Sequence, residues 1–174
     1  EYDNLVQALK SGKGPLQVTG TLDSQKVHLM YELGEASAFA WKLVVTYDDT
    51  RAKEIYDDFR SFTSQVWLYP AKDLLFYSAD IHGNLMTRQR IAVLRHLMED
   101  KEGVVVTTMD GLMDHLLPLK YLREQSISVE SGQVIDLDVW KERLVAMGYE
   151  RMAQVDGMGQ FSIRGGIVDI FPLT

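Results

Sequence analysis

The sequence contains no cysteine, so disulfide bonds and thiolate metal sites are excluded. Positive charge is in the minority: 18 Lys and Arg stand against 25 Asp and Glu, a formal net charge of −7. Affinity for nucleic acid rests on clustered Lys and Arg, so this balance disfavours unaided binding to a phosphate backbone. No stretch approaches the ~20 apolar residues of a membrane span, and no signal peptide opens the chain. With 46% hydrophobic residues among 174, we expect a sizeable core and a cytoplasmic protein.

Four short, β-branched and nearly continuous apolar runs occupy the first two thirds of the chain. They are LQVTG (16–20), KLVVTY (42–47), QVWLYP (65–70) and GVVVTT (103–108). Such runs are typical of strands that are buried on both faces. Helical patterns lie between them, and this alternation predicts an α/β fold with a parallel sheet and helices on both faces, over residues 1 to 123.

Three helices of this lobe have their own signals. One begins behind Asp48 or Asp49 as a cap, with a stripe of Ala52, Ile55, Phe59 and Phe62. A second covers TRQRIAVLRHLMED, with a stripe of Ile91, Leu94 and Leu97 or Met98. The third should follow GVVVTT and run until Pro118 stops it.

The remaining residues, 124–174, predict a small α+β subdomain. SISVESGQ (126–133) alternates like a half-exposed strand. A helix over 137–149 begins behind Asp136 and ends near Gly148, with a stripe of Leu137, Trp140, Leu144 and Met147. Two strands around a Gly-rich turn then close the sequence, and the last apolar run, 167–171, is predicted to be buried on both sides.

One stretch has almost the form of a phosphate-binding loop. A working loop reads G-x-x-x-x-G-K-[ST], in which the second glycine lets backbone N–H groups surround the phosphates and the hydroxyl holds Mg²⁺. Here Gly20 and Lys26 stand at the right places, but Gln25 replaces the second glycine and Val27 replaces the hydroxyl. Asp23 adds negative charge where phosphate would lie. We therefore interpret the stretch as a degenerate phosphate loop that binds no cofactor.

No other pattern supports catalysis or a metal. The acidic pairs 48–49 and 57–58 suit a helix start and a solvated helix face. The four histidines are scattered, and no H-x-x-x-H spacing suggests a metal site. We predict no catalytic residue and no metal ligand.

A single arginine near the end of the chain stands out as a recognition candidate. Phe161 and Ile163 share one strand face, so Arg164 points the other way, on a rigid strand at the Gly165-Gly166 bend. From spacing alone, the favoured role is an intramolecular salt bridge, and Asp156 or Asp169 could supply the carboxylate. The alternative role is contact with a partner protein.

The segment GYERMAQVDGMGQFSIRGGIVDIFP resembles a signature of the N-terminal, UvrB-homologous region of bacterial transcription-repair coupling factors (Mfd). The resemblance continues upstream through VTG, YPAKDLLFYSADIHGNLMTRQRIAVLRHL and VVVTTMDGLM, so it covers nearly the whole chain. Two features favour this family over UvrB itself. The phosphate loop is broken, and only residues 81–87 separate DLLFYSAD from the RQRI helix, which leaves no room for the DNA-clasping hairpin of UvrB.

The resemblance implies that residues 1–123 are a UvrB-like domain 1A and residues 124–174 the start of a UvrB-like domain 2. Because the chain starts at Glu1 and stops at Thr174 directly after a strand pattern, we expect a piece of a longer protein. In this family domain 2 recruits UvrA to a stalled RNA polymerase, and the arginine of its R-G signature, here Arg164, belongs to the UvrA-binding surface. The full-length protein would be an ATP-dependent DNA translocase that contacts RNA polymerase and double-stranded DNA through other domains.

Two functions of different classes remain open at this point. The first is a non-catalytic recruitment module of transcription-coupled nucleotide excision repair, which is no enzyme by itself. The second is an active, nucleotide-dependent, UvrB-like DNA helicase lobe. The state of the phosphate loop favours the first.

Overall fold

The computed structural model describes residues 2–12, 14–71, 81–116 and 118–172, without the side chains of Ser24, residues 81–87 and Gln125. It forms two compact units, Glu1–His115 and Leu116–Thr174. The assignment of the pieces to UvrB-like domains stays a prediction. Among the described residues, no helix is both long and apolar enough to cross a bilayer.

The first unit is built on a three-stranded parallel sheet. Its elements are α1 (Tyr2–Lys10), α2 (Asp23–Ala36), β1 (Trp41–Thr46), α3 (Asp49–Phe59), β2 (Val66–Tyr69), α4 (Ile81–Glu99), β3 (Gly103–Thr108) and α5 (Met109–Met113). The strand order is β1-β3-β2, so β3 lies in the middle. Trp41 pairs with Gly103 and Val66 with Val104 at the start of the two ladders.

Helices cover both faces of this sheet, as the sequence predicts. On one face Val104 and Val106 of β3 pack in a cluster with side chains of α2 and α3, namely Val27, Ala52, Ile55 and Phe59. On the other face Val105 packs with Val93, Leu94 and Leu97 of α4, and with Trp41 and Trp67. Alternate residues of β3 thus serve the two cores, which explains the uninterrupted apolar run GVVV.

Local capping explains where two helices begin. Asp48, and not Asp49, is the cap of α3, because its side chain accepts a hydrogen bond from Arg51 N at 2.7 Å. Thr108 caps α5, since its hydroxyl accepts from Gly111 N at 3.1 Å. Both bonds satisfy amide donors that the first helical turn leaves without a partner.

The predicted strand at 16–20 is wrong. The stretch lies outside the sheet, and Leu16 and Val18 are 41% and 43% exposed. A β-prone run becomes a strand only where a neighbouring strand pairs with it and other elements cover it. The loop therefore enters α2 from irregular backbone, and not from a strand.

The helix after β3 is also shorter than predicted. It ends at Met113, where Asp114 adopts extended backbone, and Pro118 precedes a separate helix, α6 (Leu119–Gln125). The Asp114 carboxylate contacts Arg90 of α4 at 2.9 Å. The first residue past α5 thus takes part in a tertiary ion pair.

The second unit contains α6, α7 (Leu137–Ala146), β4 (Glu150–Arg151), β5 (Gln160–Arg164) and β6 (Ile167–Phe171). Strand β5 lies between β4, which is parallel to it, and β6, which is antiparallel. The predicted helix α7 is present, although it ends at Ala146 and not at 149. Asp136 accepts from Asp138 N and Val139 N, Leu144 is buried, and Gly148 follows the helix with φ +87°.

Residues 126–133 do not form the predicted strand. The Ser126 hydroxyl donates to Leu122 O at 2.9 Å, which closes the end of α6. Glu130 and Gln133 then form a turn, because Glu130 N donates to the Gln133 side chain and Gln133 N donates to Glu130 O. Hydrogen bonds between side chains and nearby backbone thus take the place of a sheet ladder.

The outer strand of the hairpin is less covered than its sequence predicts. Ile167 and Phe171 are 64% and 43% exposed, although the run 167–171 was expected to be buried on both sides. Strand β6 is an edge strand of its sheet, and within the described residues one of its faces stays open. On the opposite face of the hairpin, Phe161 of β5 is, by contrast, fully buried.

Candidate functional site

The stretch predicted to be a degenerate phosphate loop forms the start of α2. Gly20 has φ +80°, and the helix begins at Asp23 behind Leu22. Gln25 N and Lys26 N both donate to Leu22 O, at 3.0 and 3.1 Å. The Gln25 side chain folds back and accepts from Leu22 N at 3.3 Å. Two of the amides that would surround a phosphate in a working loop therefore serve the first turn of the helix.

The lysine of the loop has an acidic partner within the chain. Lys26 Nζ donates to Asp23 Oδ1 at 2.8 Å, and Arg51 Nη2 lies 3.3 Å from the same oxygen. The hydrogen bond from Lys26, the charge of Lys26 and then the charge of Arg51 lower the pKa of Asp23 below its usual value. The Asp23 carboxylate thus supplies the negative partner for Lys26 that a phosphate would supply in a working loop.

The residue at the position of the Mg²⁺ ligand belongs to the core. Val27 is 1% exposed and packs with Ala52, Ile55 and Phe59 beneath the sheet. A side chain at this position points into an apolar cluster, and it has no oxygen to offer a metal ion. Within the described residues, no group of three or more His, Asp or Glu side chains could hold a metal.

A buried arginine organises the carboxyl end of the sheet, and the sequence analysis missed it. Arg90 is 7% exposed, and its Nη1 donates to Pro70 O at 2.7 Å and lies 2.9 Å from Asp114 Oδ2. Its guanidinium also stacks over the Tyr69 ring at 4.3 Å. Burial raises the pKa of Tyr69, and the positive charge of Arg90 opposes this shift.

The signal for this arginine was present in the helical periodicity. Arg90 stands three and four residues before Val93 and Leu94, so it shares the apolar side of α4. An arginine on that side must find acceptors inside the protein. Its contacts here, with the end of β2 and the residue after α5, indicate a structural role at the sheet edge.

The Arg164 hairpin has a tight, two-residue turn. Register pairs Arg164 with Ile167, Ser162 with Asp169 and Gln160 with Phe171, so Gly165 and Gly166 alone form the loop. Of these two glycines only Gly165 has a positive φ, +60°, as in a type II′ turn. The predicted two strands and Gly-rich turn are thereby confirmed.

The hairpin buries its base and exposes its arginine. Phe161 is fully buried and Ser162 nearly so, with the Ser162 hydroxyl donating to Ala153 O at 3.1 Å. Two residues further on, the Arg164 side chain is 62% exposed. Of the two acidic residues that spacing left open, it pairs with Asp169 across the hairpin, through Nη2 and Oδ2. A part for Arg164 in partner binding stays a prediction.

Comparison with known proteins adds two findings. Residues 127–174 match the family model of the UvrB interaction domain. The whole chain is similar to proteins described as transcription-repair-coupling factor: it is 31% identical over 175 positions to that of Staphylococcus aureus strain USA300, and 30% to that of Staphylococcus epidermidis strain ATCC 12228. Each alignment covers 98% of this chain and 15% of the relative. The resemblance found in the sequence is confirmed, and the chain spans about 15% of the length of these relatives.

Proposed function

Since this chain resembles transcription-repair-coupling factors over nearly all of its length, we propose that it is the UvrA-recruiting module of such a factor. In that role it binds UvrA and brings nucleotide excision repair to a stalled RNA polymerase. The observation that carries the proposal is the match of residues 127–174 to the UvrB interaction domain. The structure supports it with an exposed arginine on a hairpin with a two-residue turn inside that segment.

The module acts without catalysis, and residues 1–123 serve as a degenerate phosphate-loop lobe of the NTPase type. Three local features support this part of the proposal. Lys26 pairs with Asp23, Val27 lies in the core, and the amides of Gln25 and Lys26 are bonded within the helix. The continuous helix α4 over Ile81–Glu99 also fits a lobe that lacks the DNA-clasping hairpin.

The activity of the longer protein belongs to other parts of it. We propose an ATP-dependent DNA translocase that meets RNA polymerase and double-stranded DNA through other domains, in the cytoplasm. The competing function, an active UvrB-like helicase lobe, requires the loop to bind nucleotide. Calorimetry with Mg-ATP at millimolar concentration separates the two: we expect no saturable heat, whereas heat that disappears in Lys26→Ala would favour the helicase lobe.

Arg164 is the residue that we assign to the contact with UvrA. A guanidinium presents a planar fork of donors to carboxylates, and arginine is common at the energetic centres of interfaces. Arg164→Ala should weaken UvrA binding by about 2 kcal/mol or more, roughly thirtyfold, with little effect on folding because the ion pair is exposed. Arg164→Lys should recover only part of this loss.

A matched control is available in the same unit. Arg151 of β4 is also exposed, and Arg151→Ala should leave UvrA affinity close to that of the unmodified chain. Affinity and melting temperature are measured on the same samples. A fall in melting temperature with unchanged affinity in Arg164→Ala would assign this arginine to stability alone.

A further inference from the structure

Arg164 meets a carboxylate of its own hairpin, and the geometry of this pair is set by the register. Because Ser162 pairs with Asp169 and Arg164 with Ile167, Arg164 and Asp169 are diagonal neighbours on one face of the sheet. Arg164 Nη2 donates to Asp169 Oδ2. The two side chains are 62% and 42% exposed, so the pair lies at the surface of the second unit.

Such a pair contributes little to folding, but it limits the freedom of the arginine. Exposed ion pairs add little stability, because solvent screens them and both side chains lose rotamer freedom. A guanidinium has five N–H donors, and one hydrogen bond to Asp169 leaves donors for a second acceptor. An arginine that is already oriented loses less conformational entropy when it binds a partner.

The backbone beneath the pair is held in place. Phe161 and Ser162 are buried, and the Ser162 hydroxyl is bonded to Ala153 O. The two-residue turn fixes the relation between the strands that carry the two charged groups. The position of the Asp169 carboxylate relative to the arginine is therefore a property of the fold.

We propose that Asp169 is a positioning residue for partner recognition. It accepts one hydrogen bond from Arg164 and so aims the remaining donors of the guanidinium at a carboxylate on UvrA. The inference rests on the proposed function, in which Arg164 contacts UvrA. The group that fits the oriented fork is a planar carboxylate, supplied by an Asp or Glu of the partner.

A double-mutant cycle with UvrA as the binding partner tests this role. Ordering one side chain is worth about 0.5–1.5 kcal/mol in a typical interface, so Asp169→Ala should weaken binding roughly two- to thirteenfold. Asp169→Asn keeps an oxygen that accepts the same hydrogen bond and should recover most of the affinity. In an Arg164→Ala background, Asp169→Ala should change nothing further. Asp156→Ala, at an exposed carboxylate of the same unit, serves as the matched control and should bind like the unmodified chain.

The possible failures are distinguishable. If the unmodified chain does not bind UvrA, the proposed function fails. If Arg164→Ala binds as well as the unmodified chain, the arginine contact fails. In either case the inference about Asp169 fails as well. If Arg164→Ala weakens binding while Asp169→Ala leaves it unchanged or tighter, Asp169 does not position the arginine, and the proposed function stands. If Asp169→Ala lowers UvrA affinity equally in the unmodified and the Arg164→Ala backgrounds, the positioning role is also overturned. Such a result would indicate a damaged hairpin, which amide hydrogen exchange of β5 and β6 would detect.

Discussion

Replacing Val27 by threonine would return to the loop the hydroxyl that a working phosphate loop uses for Mg²⁺, yet we expect it to lower stability. Val27 is 1% exposed and packs against the apolar side chains of α3 and β3. The change keeps the side-chain volume and replaces a buried methyl group by a hydroxyl. A buried hydroxyl without a partner costs about 1–3 kcal/mol. A helical threonine can bond the carbonyl four residues earlier, here that of Asp23, so we expect the lower part of that range, about 1–2 kcal/mol.

The assay combines thermal unfolding with nucleotide titration. For a chain of this size the expected loss corresponds to a fall in Tm of about 2–8 °C. Val45→Thr is the matched control, because Val45 on β1 is 38% exposed and its replacement should stay within about 0.5 kcal/mol. Mg-ATP should give no saturable heat with either variant. An unchanged Tm of Val27→Thr would contradict the placement of this residue in the core. Saturable Mg-ATP binding by the variant would contradict the interpretation of the loop as degenerate.

Three further perturbations test the first unit. Arg90→Ala removes the guanidinium that donates to Pro70 O and lies 2.9 Å from the Asp114 carboxylate. It should cost about 3 kcal/mol or more in urea unfolding, with Arg90→Lys recovering only part, and a loss below about 1 kcal/mol would contradict the structural role. Gly103→Ala places a Cβ 2.2 Å from the Trp67 ring and 2.9 Å from that of Trp41. It should lower the free energy of unfolding by about 1–3 kcal/mol, measured by thermal unfolding, whereas Gly166→Ala, with open space around it, should not. Equal Tm values for the two variants would contradict this description of the sheet. The pKa of Asp23 is lower in the folded than in the unfolded chain, so the stability that this carboxylate contributes is present above its unfolded pKa near 3.8. That stability is lost as the pH falls through the lower, folded pKa. Asp23→Asn should therefore reduce the loss of stability at acid pH, and a pH profile identical to that of the unmodified chain would count against the Lys26–Asp23 contact.

The elements that sequence alone predicted correctly are those whose determinants lie close together in the chain. The runs 42–47 and 103–108 overlap β1 and β3. Of these two, only the central strand β3 is covered on both faces as expected, because Leu43 and Val45 of the edge strand β1 are 59% and 38% exposed. Asp48 and Asp136 cap their helices through amides two or three residues ahead, which spacing alone specifies. The starts of the helices that Asp48 and Asp136 cap could therefore be predicted from the sequence.

Two of the errors concern features that involve distant parts of the chain, and the third concerns hydrogen bonds between side chains and nearby backbone. The run 16–20 has the composition of a strand, but nothing in its own residues shows whether a neighbouring strand will pair with it. Asp114, just past the end of α5, forms an ion pair with Arg90, 24 positions earlier in the numbering, and helical periodicity does not show this contact. The stretch 126–133 alternates like a strand, yet side-chain bonds to nearby backbone hold it in turns.

The candidate site shows the same division. Strand parity correctly turned Arg164 away from the buried Phe161. Spacing left Asp156 and Asp169 as equal partners for it, and only the register of the two-residue turn selects Asp169. The contact with a partner protein cannot follow from strand geometry, because it depends on a surface that another chain supplies.

The most direct test of the central claim is a titration of the unmodified chain with purified UvrA, by biolayer interferometry and by calorimetry, with UvrB as a competitor. The account predicts saturable binding that UvrB displaces, because residues 127–174 match the UvrB interaction domain. Because the chain is expected to bind no nucleotide, Lys26→Ala should bind UvrA as the unmodified chain does. Absence of saturable binding at tens of micromolar UvrA, roughly −6 kcal/mol or weaker, would contradict the account.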